Sequence, residues 1–263
     1  MRKVITLFIC LILILSVAEK ASAYESDRIK ITILYDNYLF SEGTKTDWGF
    51  SCIIEGTEKT ILFDTGTKSD LLFHNINFLK VNPEDVELVA ISHNHGDHTG
   101  GLFSFLDKNN KVSVYLPISF PGTFVSRVKE KKAKVISVDK PVEICKDVFL
   151  TGEMGRQIKE QSMILDTSKE LVVLTGCAHP GIVSIVKRAK EILDKKIYLV
   201  LGGFHLMRKS EAEVKDIIKE FRSLGVLKVG ATHCTGDRAI ELFKEAYGKN
   251  YIQMGVGKVI EIF

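Results

Sequence analysis

Within one run of ten residues, Ser92-His-Asn-His-Gly-Asp-His-Thr-Gly-Gly101, three imidazoles and a carboxylate stand at positions 93, 95, 97 and 98. In an extended loop alternate side chains point the same way, so His93 and His95 can reach one cation together. Asp97 and His98 can then turn to a second cation beside it. Neutral imidazole and carboxylate are donors that Zn²⁺, Mn²⁺ or Fe accept, and Gly96 relieves the tight backbone between the two pairs. A histidine-rich scavenging tract is the alternative origin of such a cluster. Such tracts are not usually framed by an apolar strand before them and by Thr99-Gly100-Gly101 after them. The chemistry that follows is metal-assisted attack: a divalent ion brings the pKa of water from about 15.7 to about 7 and stabilises charge on the attacked group.

Three more histidines, His179, His205 and His233, each follow a predicted strand closely in loops bracketed by Gly, Ser or Thr. A strand end is a rigid platform from which a loop can turn side chains inward. His74 differs: it falls mid-helix beside Asn75 and reads as a surface histidine. Cys177 precedes His179 by two residues and is expected beside the cavity as a neighbour of the metal rather than a ligand. Glu160 and Gln161 are candidates for shaping the pocket. No Gly-x-Ser-x-Gly elbow and no phosphate-cradling Gly-x-x-x-x-Gly-Lys-Ser/Thr run is present, which argues against serine and P-loop chemistry.

The positioning elements come from hydrophobic periodicity. Short β-rich runs are expected at Ile31–Tyr35, Gly49–Glu55 and Thr60–Asp64, followed by a helix from Ser69 to Leu79 and a buried strand Val86–Ser92 that leads into the histidine loop. A helix opens at Gly100-Gly101-Leu102 and runs to Asp107. Strands follow at Val112–Leu116, Lys134–Val138, Val148–Thr151, Ser162–Asp166 and Leu171–Thr175. Ile182, Ile185, Val186, Ala189 and Ile192 mark a helix by their spacing. The strand Ile197–Leu201, the helix Ser210–Leu224, the strand Val226–Ala231 and the helix Asp237–Tyr247 come next, and Tyr251–Phe263 reads as two final strands. This order suggests one domain of two sheets packed face to face with helices outside.

The 263 residues carry a net charge of +3. Arg2, Lys3 and Lys20 against Glu19 account for +2 of it, so the rest is near neutral and offers no electrostatic footprint for nucleic acid or an anionic membrane. The densest basic run, Arg127 to Lys134, reads as a solvated helix face. The N-terminus has the form of an export signal: Arg2 and Lys3, an apolar run from Val4 to Val17, then Ala21-Ser22-Ala23. A membrane anchor is the rival reading, but the apolar run is shorter than the ~20 residues that a bilayer needs. The expectation is a signal peptide over residues 1–23 cleaved near Ala23, a periplasmic or secreted product, and no stable membrane insertion afterwards. Cys52, Cys145, Cys177 and Cys234 remain in the mature chain, where an oxidising compartment permits disulfides and burial permits plain packing.

Four local sequences, in order, resemble one family: Leu62-Phe-Asp-Thr-Gly66, the histidine run 92–101, Thr175-Gly-Cys-Ala-His-Pro-Gly181 and Thr232-His-Cys-Thr-Gly236. Together they resemble the metallo-β-lactamase superfamily over essentially the whole mature chain. Within it, Ile33-Leu-Tyr-Asp-Asn37, Glu160-Gln161-Ser162 and Gly202-Gly-Phe-His-Leu206 are similar to the dihydropterin/ribofuranosylaminobenzene-phosphate synthase branch. The resemblance implies an αββα four-layer sandwich over residues 24–263, with two mixed sheets and outer helices. It implies two divalent metal ions, zinc first with manganese or iron as alternatives. His93, His95 and His179 would hold one ion, and Asp97, His98 and His233 the other, with Asp64 a structural aspartate behind the loop. Asp97 would orient the nucleophile. Many relatives bridge the ions with an aspartate after the strand corresponding to Ile197–Leu201, but here Gly202-Gly203-Phe204-His205 has no acid. His205 would then be a substitute ligand, a catalytic acid or donor facing substrate, or a packed histidine, and a single-metal enzyme is conceivable. The leading functional expectation is an exported hydrolase of a small-molecule ester, lactone or phosphoester. A pterin-type condensing transferase and a non-catalytic metal-binding protein are the alternatives.

Overall fold

The computed structural model describes residues 28–263; the expected signal peptide at 1–23 lies outside the described residues. Period-two alternation builds the first sheet. In β1 (Ile29–Tyr35), β2 (Ser51–Glu55), β3 (Ile61–Phe63), β4 (Leu88–Ala90) and β5 (Ser113–Pro117), one set of side chains turns to a central core, among them Ile31, Ile33, Ile54, Phe63 and Tyr115. The alternate set, Ile53, Leu62, Val89, Val114 and Leu116, faces the opposite side. There it meets Leu72 and Ile76 of α1 (Ser69–Phe78), with Phe105 and Val128 from helices further along the chain. Those later helices are α3 (Leu102–Lys108) and α4 (Gly122–Glu130); α2 (Gly96–Thr99) is a single turn inside the histidine loop.

The second sheet repeats the arrangement. It consists of β7 (Val142–Cys145), β8 (Val148–Leu150), β9 (Met163–Thr167), β10 (Glu170–Thr175), β11 (Ile197–Gly203) and β12 (Lys228–Thr232). Leu150, Leu165, Leu174 and Leu201 join the same central core, while Ile164, Val173 and Val200 face α5 (Ile182–Leu193), α6 (Glu211–Ser223) and α7 (Asp237–Tyr247). Phe204, Phe221 and Phe243 close this outer layer, with ring centroids 5.5–5.8 Å apart. Both sheets are covered on both faces, which is why their strands are nearly continuous apolar runs.

The first sheet has the order β13-β1-β2-β3-β4-β5-β6, completed by β6 (Lys134–Val138) and β13 (Val259–Ile262), and the second β12-β11-β10-β9-β8-β7. Both are mixed: β3 to β6 run parallel, as do β10 to β12, while the remaining pairs are antiparallel. The outcome is the expected αββα sandwich. Its parallel segments matter for function, because the loops carrying the candidate ligands all leave the same ends of β4, β10, β11 and β12.

Three local expectations differ. The C-terminal stretch forms one strand, β13, instead of two; Tyr251 and Val256 make only isolated bridges, to Val229 and Leu39. Gly255 (φ +146°) and Gly257 (φ +85°) break the run, and at Gly255 a side chain would press within 2.9 Å of the Leu39–Phe40 backbone. The edge strand β7 was not expected: it is only four residues long, and although Val142 and Ile144 turn to the central core, none of its residues is fully buried. The basic run 127–134 is helical only to Glu130 and enters β6 at Lys134.

Asp36, directly after β1, ties the two sheets together at the end that bears the histidines. It is fully buried and accepts the Thr232 hydroxyl through both carboxylate oxygens, at 2.8 and 2.6 Å, and the Tyr38 N–H at 3.2 Å. Burial pushes its pKa up from 3.8 to about 6. A folded-state pKa above the unfolded one means that the protonated carboxyl favours the fold below pH ~4 and that this contribution is lost as pH rises through ~6. Asp36→Asn should therefore flatten the decline of unfolding free energy between pH ~4 and ~6 by up to about 3 kcal/mol. Denaturant melts across that range check this; a variant with the unaltered wild-type slope would contradict it.

Candidate metal centre

Behind the histidine loop lies Asp64, a carboxylate with no exposed surface, set after β3 at φ +56°. Its Oδ1 accepts the Ser92 N–H at 2.7 Å, and its Oδ2 accepts the Ser92 hydroxyl at 2.7 Å and meets His98 Nδ1 at 2.7 Å. The Ser92 hydroxyl spends its one hydrogen on Asp64, so it accepts from His93 Nδ1–H at 2.9 Å. Both rings thus have Nδ1 occupied, and the lone pair of each Nε2 is left facing inward. Burial, helped by neighbouring imidazoles, pushes the pKa of both His93 and His98 down to about 3. Burial itself pushes Asp64 up to about 7.

The same logic governs the histidines from the second sheet. Glu160 is fully buried and receives the backbone N–H groups of Cys177, Ala178 and His179 at 2.8–2.9 Å, and its Oε2 lies 2.8 Å from His179 Nδ1. Burial alone would raise its pKa, but His179 and His93 outweigh that and hold it well below the carboxylate range. His233 Nδ1 is 2.9 Å from Asn37 Oδ1, which also accepts the Gly49 N–H. Its Nε2 is buried without a well-formed hydrogen bond and lies 3.3 Å from Asp97 Oδ2. Burial raises the pKa of Asp97 less than His233 and His98 depress it, so this half-buried carboxylate is ionised at neutral pH.

The inner nitrogens form two adjoining groups, within each of which the ligand atoms lie within 4.8 Å of one another. One is His93, His95 and His179. Its members His93 Nε2 and His95 Nδ1 stand 3.0 Å apart, close to the ~3.3 Å that two nitrogens on one tetrahedral zinc would show. The other is Asp97, His98, His233 and Cys177, with His98 Nε2 3.2 Å from Cys177 Sγ. Ring centroids of His93 and His98, one from each group, are 4.3 Å apart. All six residues expected as ligands are therefore in one cleft, in the expected two sets. Asp97 and His98 reach it from the helical turn α2 rather than from an extended loop. Buried imidazoles with orphaned or mutually facing nitrogens fit divalent cations; without a cation, such nitrogens stay unsatisfied.

His205 belongs to neither group. It lies exposed at φ +55°, stacks near His179 (4.5 Å between centroids) and shares a third cluster with Cys177 and Cys234. Cys177 and Cys234 are free thiols that share a hydrogen bond; burial disfavours both thiolates, and the proton is held on Cys177 while Cys234, facing His205 and His233, is driven low. The cleft outside has a volume of about 330 Å³ and is lined by Trp48, His205, Met207, Arg208 and Cys234. A larger hollow of about 490 Å³, by the hairpin turns at Gly56, Asp147 and Ser168, opens at the opposite ends of the strands, away from every residue of the two groups. His74 is remote from the site: half-buried on α1, its Nε2 binds the Gly43 carbonyl at 2.9 Å. Glu160, Ser92 and Asn37 have a more definite part than the residues alone suggested, because each holds the outer nitrogen of one ring. The available signal was that all three flank strand ends next to the motifs.

A model of the metallo-beta-lactamase superfamily matches residues 49–168. The 7,8-dihydropterin-6-methyl-4-(beta-D-ribofuranosyl)-aminobenzene-5'-phosphate synthase of Methanocaldococcus jannaschii is 31% identical, over 89% of this chain and 97% of that protein. A solved structure described as a metal-dependent hydrolase of the beta-lactamase superfamily superposes with a TM-score of 0.75 at 30% identity, over 89% of this chain and 99% of that one. A metallo-beta-lactamase fold protein from Bacillus subtilis, at 16% identity and TM-score 0.65 over 89% and 99% of the chains, shares the fold.

If Glu160 sets the ring of His179, Glu160→Gln should weaken binding at the three-histidine group by about 10- to 100-fold while the chain stays folded. Competition titration with a chromophoric chelator reads this; an affinity within twofold of wild type would sink the assignment.

Proposed function

Because this chain belongs to the metallo-β-lactamase superfamily, we propose that it is a metal-dependent hydrolase of a small ester, lactone or phosphoester. One observation carries the reading: two donor groups, His93/His95/His179 and Asp97/His98/His233, adjoin each other, and the rings of His93, His98, His179 and His233 have their outer nitrogens held so that their inner ones face the groups. Two divalent ions, zinc by the nature of the donors, would supply hydroxide at neutral pH and counter the charge developing on the attacked group.

The chain's own residues do the rest. Asp64 and Glu160 keep the imidazoles in one tautomer with fixed orientation, so little reorganisation is needed on reaction. Asp97, ionised and half-buried between the groups, orients the attacking water and can take its proton. Trp48 packs against His233 (4.9 Å between centroids) and forms one wall of the cleft, and Arg208 offers a cation to an anionic substrate. His205 stands at the mouth, where it can give a proton to the leaving group.

A second reading is favoured by a specific observation. The relative that shares 31% identity along nearly its full length is named a synthase of a dihydropterin-ribofuranosylaminobenzene phosphate. The same centre could then activate a condensing transfer. The two are separated by substrate. The hydrolase reading expects about two metal ions per chain by elemental analysis and turnover of bis(p-nitrophenyl) phosphate or a lactone. That turnover should fall at least ~10³-fold in His93→Ala, and ~10²–10⁴-fold in His205→Ala with metal content intact. Metal-loaded protein that is inert on the ester panel, yet joins an activated dihydropterin to the ribofuranosylaminobenzene phosphate, would replace it with the transferase.

The site of action proposed is the periplasm or exterior, supported by Arg2, Lys3, the apolar run Val4–Val17 and Ala21-Ser22-Ala23. Among the described residues no helix is long and apolar enough to cross a membrane. Expressed with its full leader, the exported protein should begin at Tyr24 by N-terminal sequencing; recovery of chain starting at Met1 from the cytoplasm alone would refute export.

A further inference from the structure

We propose that Cys177 is the fourth protein ligand of the second ion, completing a closed site of one carboxylate, two imidazoles and one thiolate; this rests on the two-ion reading above. The first argument is geometric. Cys177 Sγ falls within 4.8 Å of the donor atoms of Asp97, His98 and His233, and lies 3.2 Å from His98 Nε2. Cys234 does not join that group: its sulfur lies against the Cys177 carbonyl at 3.6 Å and shares a cluster only with Cys177 and His205.

The local backbone explains how one short turn serves both ions. After β10 the chain turns through Ala178 at φ +60°, and Glu160 binds the N–H groups of 177, 178 and 179 in a row. This presents Cys177 to one donor group and His179 to the other. The neighbouring end of β11 cannot furnish an acid at Gly203. A side chain there would come within 2.5 Å of the Gly176 carbonyl and 2.7 Å of Cys234 Sγ.

A second, independent observation is His233. Its ring has no exposed surface, and its Nε2, aimed into this group, has no hydrogen-bond partner. A buried donor or acceptor left unpaired costs roughly 1–3 kcal/mol, so the fold tolerates it where a ligand supplies the partner. Charge supports the same conclusion. Asp97 alone would leave a divalent ion with a net positive charge in a buried place, whereas Asp97 and a thiolate neutralise it; a coordinated thiol is deprotonated outright.

The consequence is a division of labour. Four protein donors close a tetrahedral site, while three imidazoles leave the first ion a free position. Thiolate also biases the second position towards zinc or cobalt and away from magnesium or manganese.

Cobalt(II) loading of the full mature chain tests this. Wild-type protein should take up about two cobalt ions and show a near-ultraviolet sulfur-to-cobalt charge-transfer band. Cys177→Ser and Cys177→Ala should lose the band and bind the second ion at least ~10-fold more weakly, with the first ion and the circular dichroism spectrum retained. Cys234→Ser should keep the band. Two bound cobalt ions without the band, its survival in both Cys177 variants, or its loss only in Cys234→Ser would each overturn the proposal while leaving the two-ion reading intact. Failure of wild-type protein to bind a second cobalt would overturn both.

Discussion

Asp64 has no contact with solvent, and it is the group from which the histidine loop hangs. Through Ser92 it fixes His93, and directly it fixes His98, one ring from each donor group. A carboxylate is costly to bury unless its oxygens are met by donors. Here the donors are the loop itself, so relaxing the loop would strand the charge. Glu160 stands in the same relation to the turn that bears Cys177 and His179. The two acids come from different sheets, and His93 bridges to Glu160 through the backbone. The cleft is therefore braced from both halves of the sandwich.

That bracing is possible because of how the sheets run. β3 to β6 and β10 to β12 are parallel within their sheets, so successive loops emerge at one rim. The central core of branched and aromatic side chains sets the spacing of the sheets, and Asp36 with Thr232 pins their histidine-bearing ends to each other. Within this frame the imidazoles are packed with centroids 4.3–5.2 Å apart. Burial and neighbouring imidazoles keep His93, His95 and His98 neutral, the form in which they donate lone pairs to a cation.

Beyond the donors lies a rim of a different character. Its features here are an exposed indole at Trp48, the flexible thioether of Met207, a guanidinium at Arg208 and His205 held at a left-handed backbone position. Under the proposed function these side chains are the ones a substrate would meet on its way to the donors. Similarity at 30–31% identity both to a structure named a hydrolase and to a protein named a synthase illustrates the separation of fold from function.

By itself the amino-acid sequence determined the donor types, the pairing of His93 with His95 and of Asp97 with His98, and the alternation that makes the strands, because those signals are local in the chain; the places of His179 and His233 in the two groups came only from the family resemblance. It also carried most helices, through apolar spacing such as that of Ile182, Ile185, Val186 and Ala189. The half-exposed β7 and the glycine-broken tail were not legible, since β7 is only four residues long and Gly255 and Gly257 interrupt the tail. Only the tertiary structure decided the partners. Glu160 meets His179 across 19 positions, Asn37 meets His233 across 196 and Cys177 meets His98 across 79. Such pairings are set by how two sheets pack, and no spacing along the chain encodes a distance through the core.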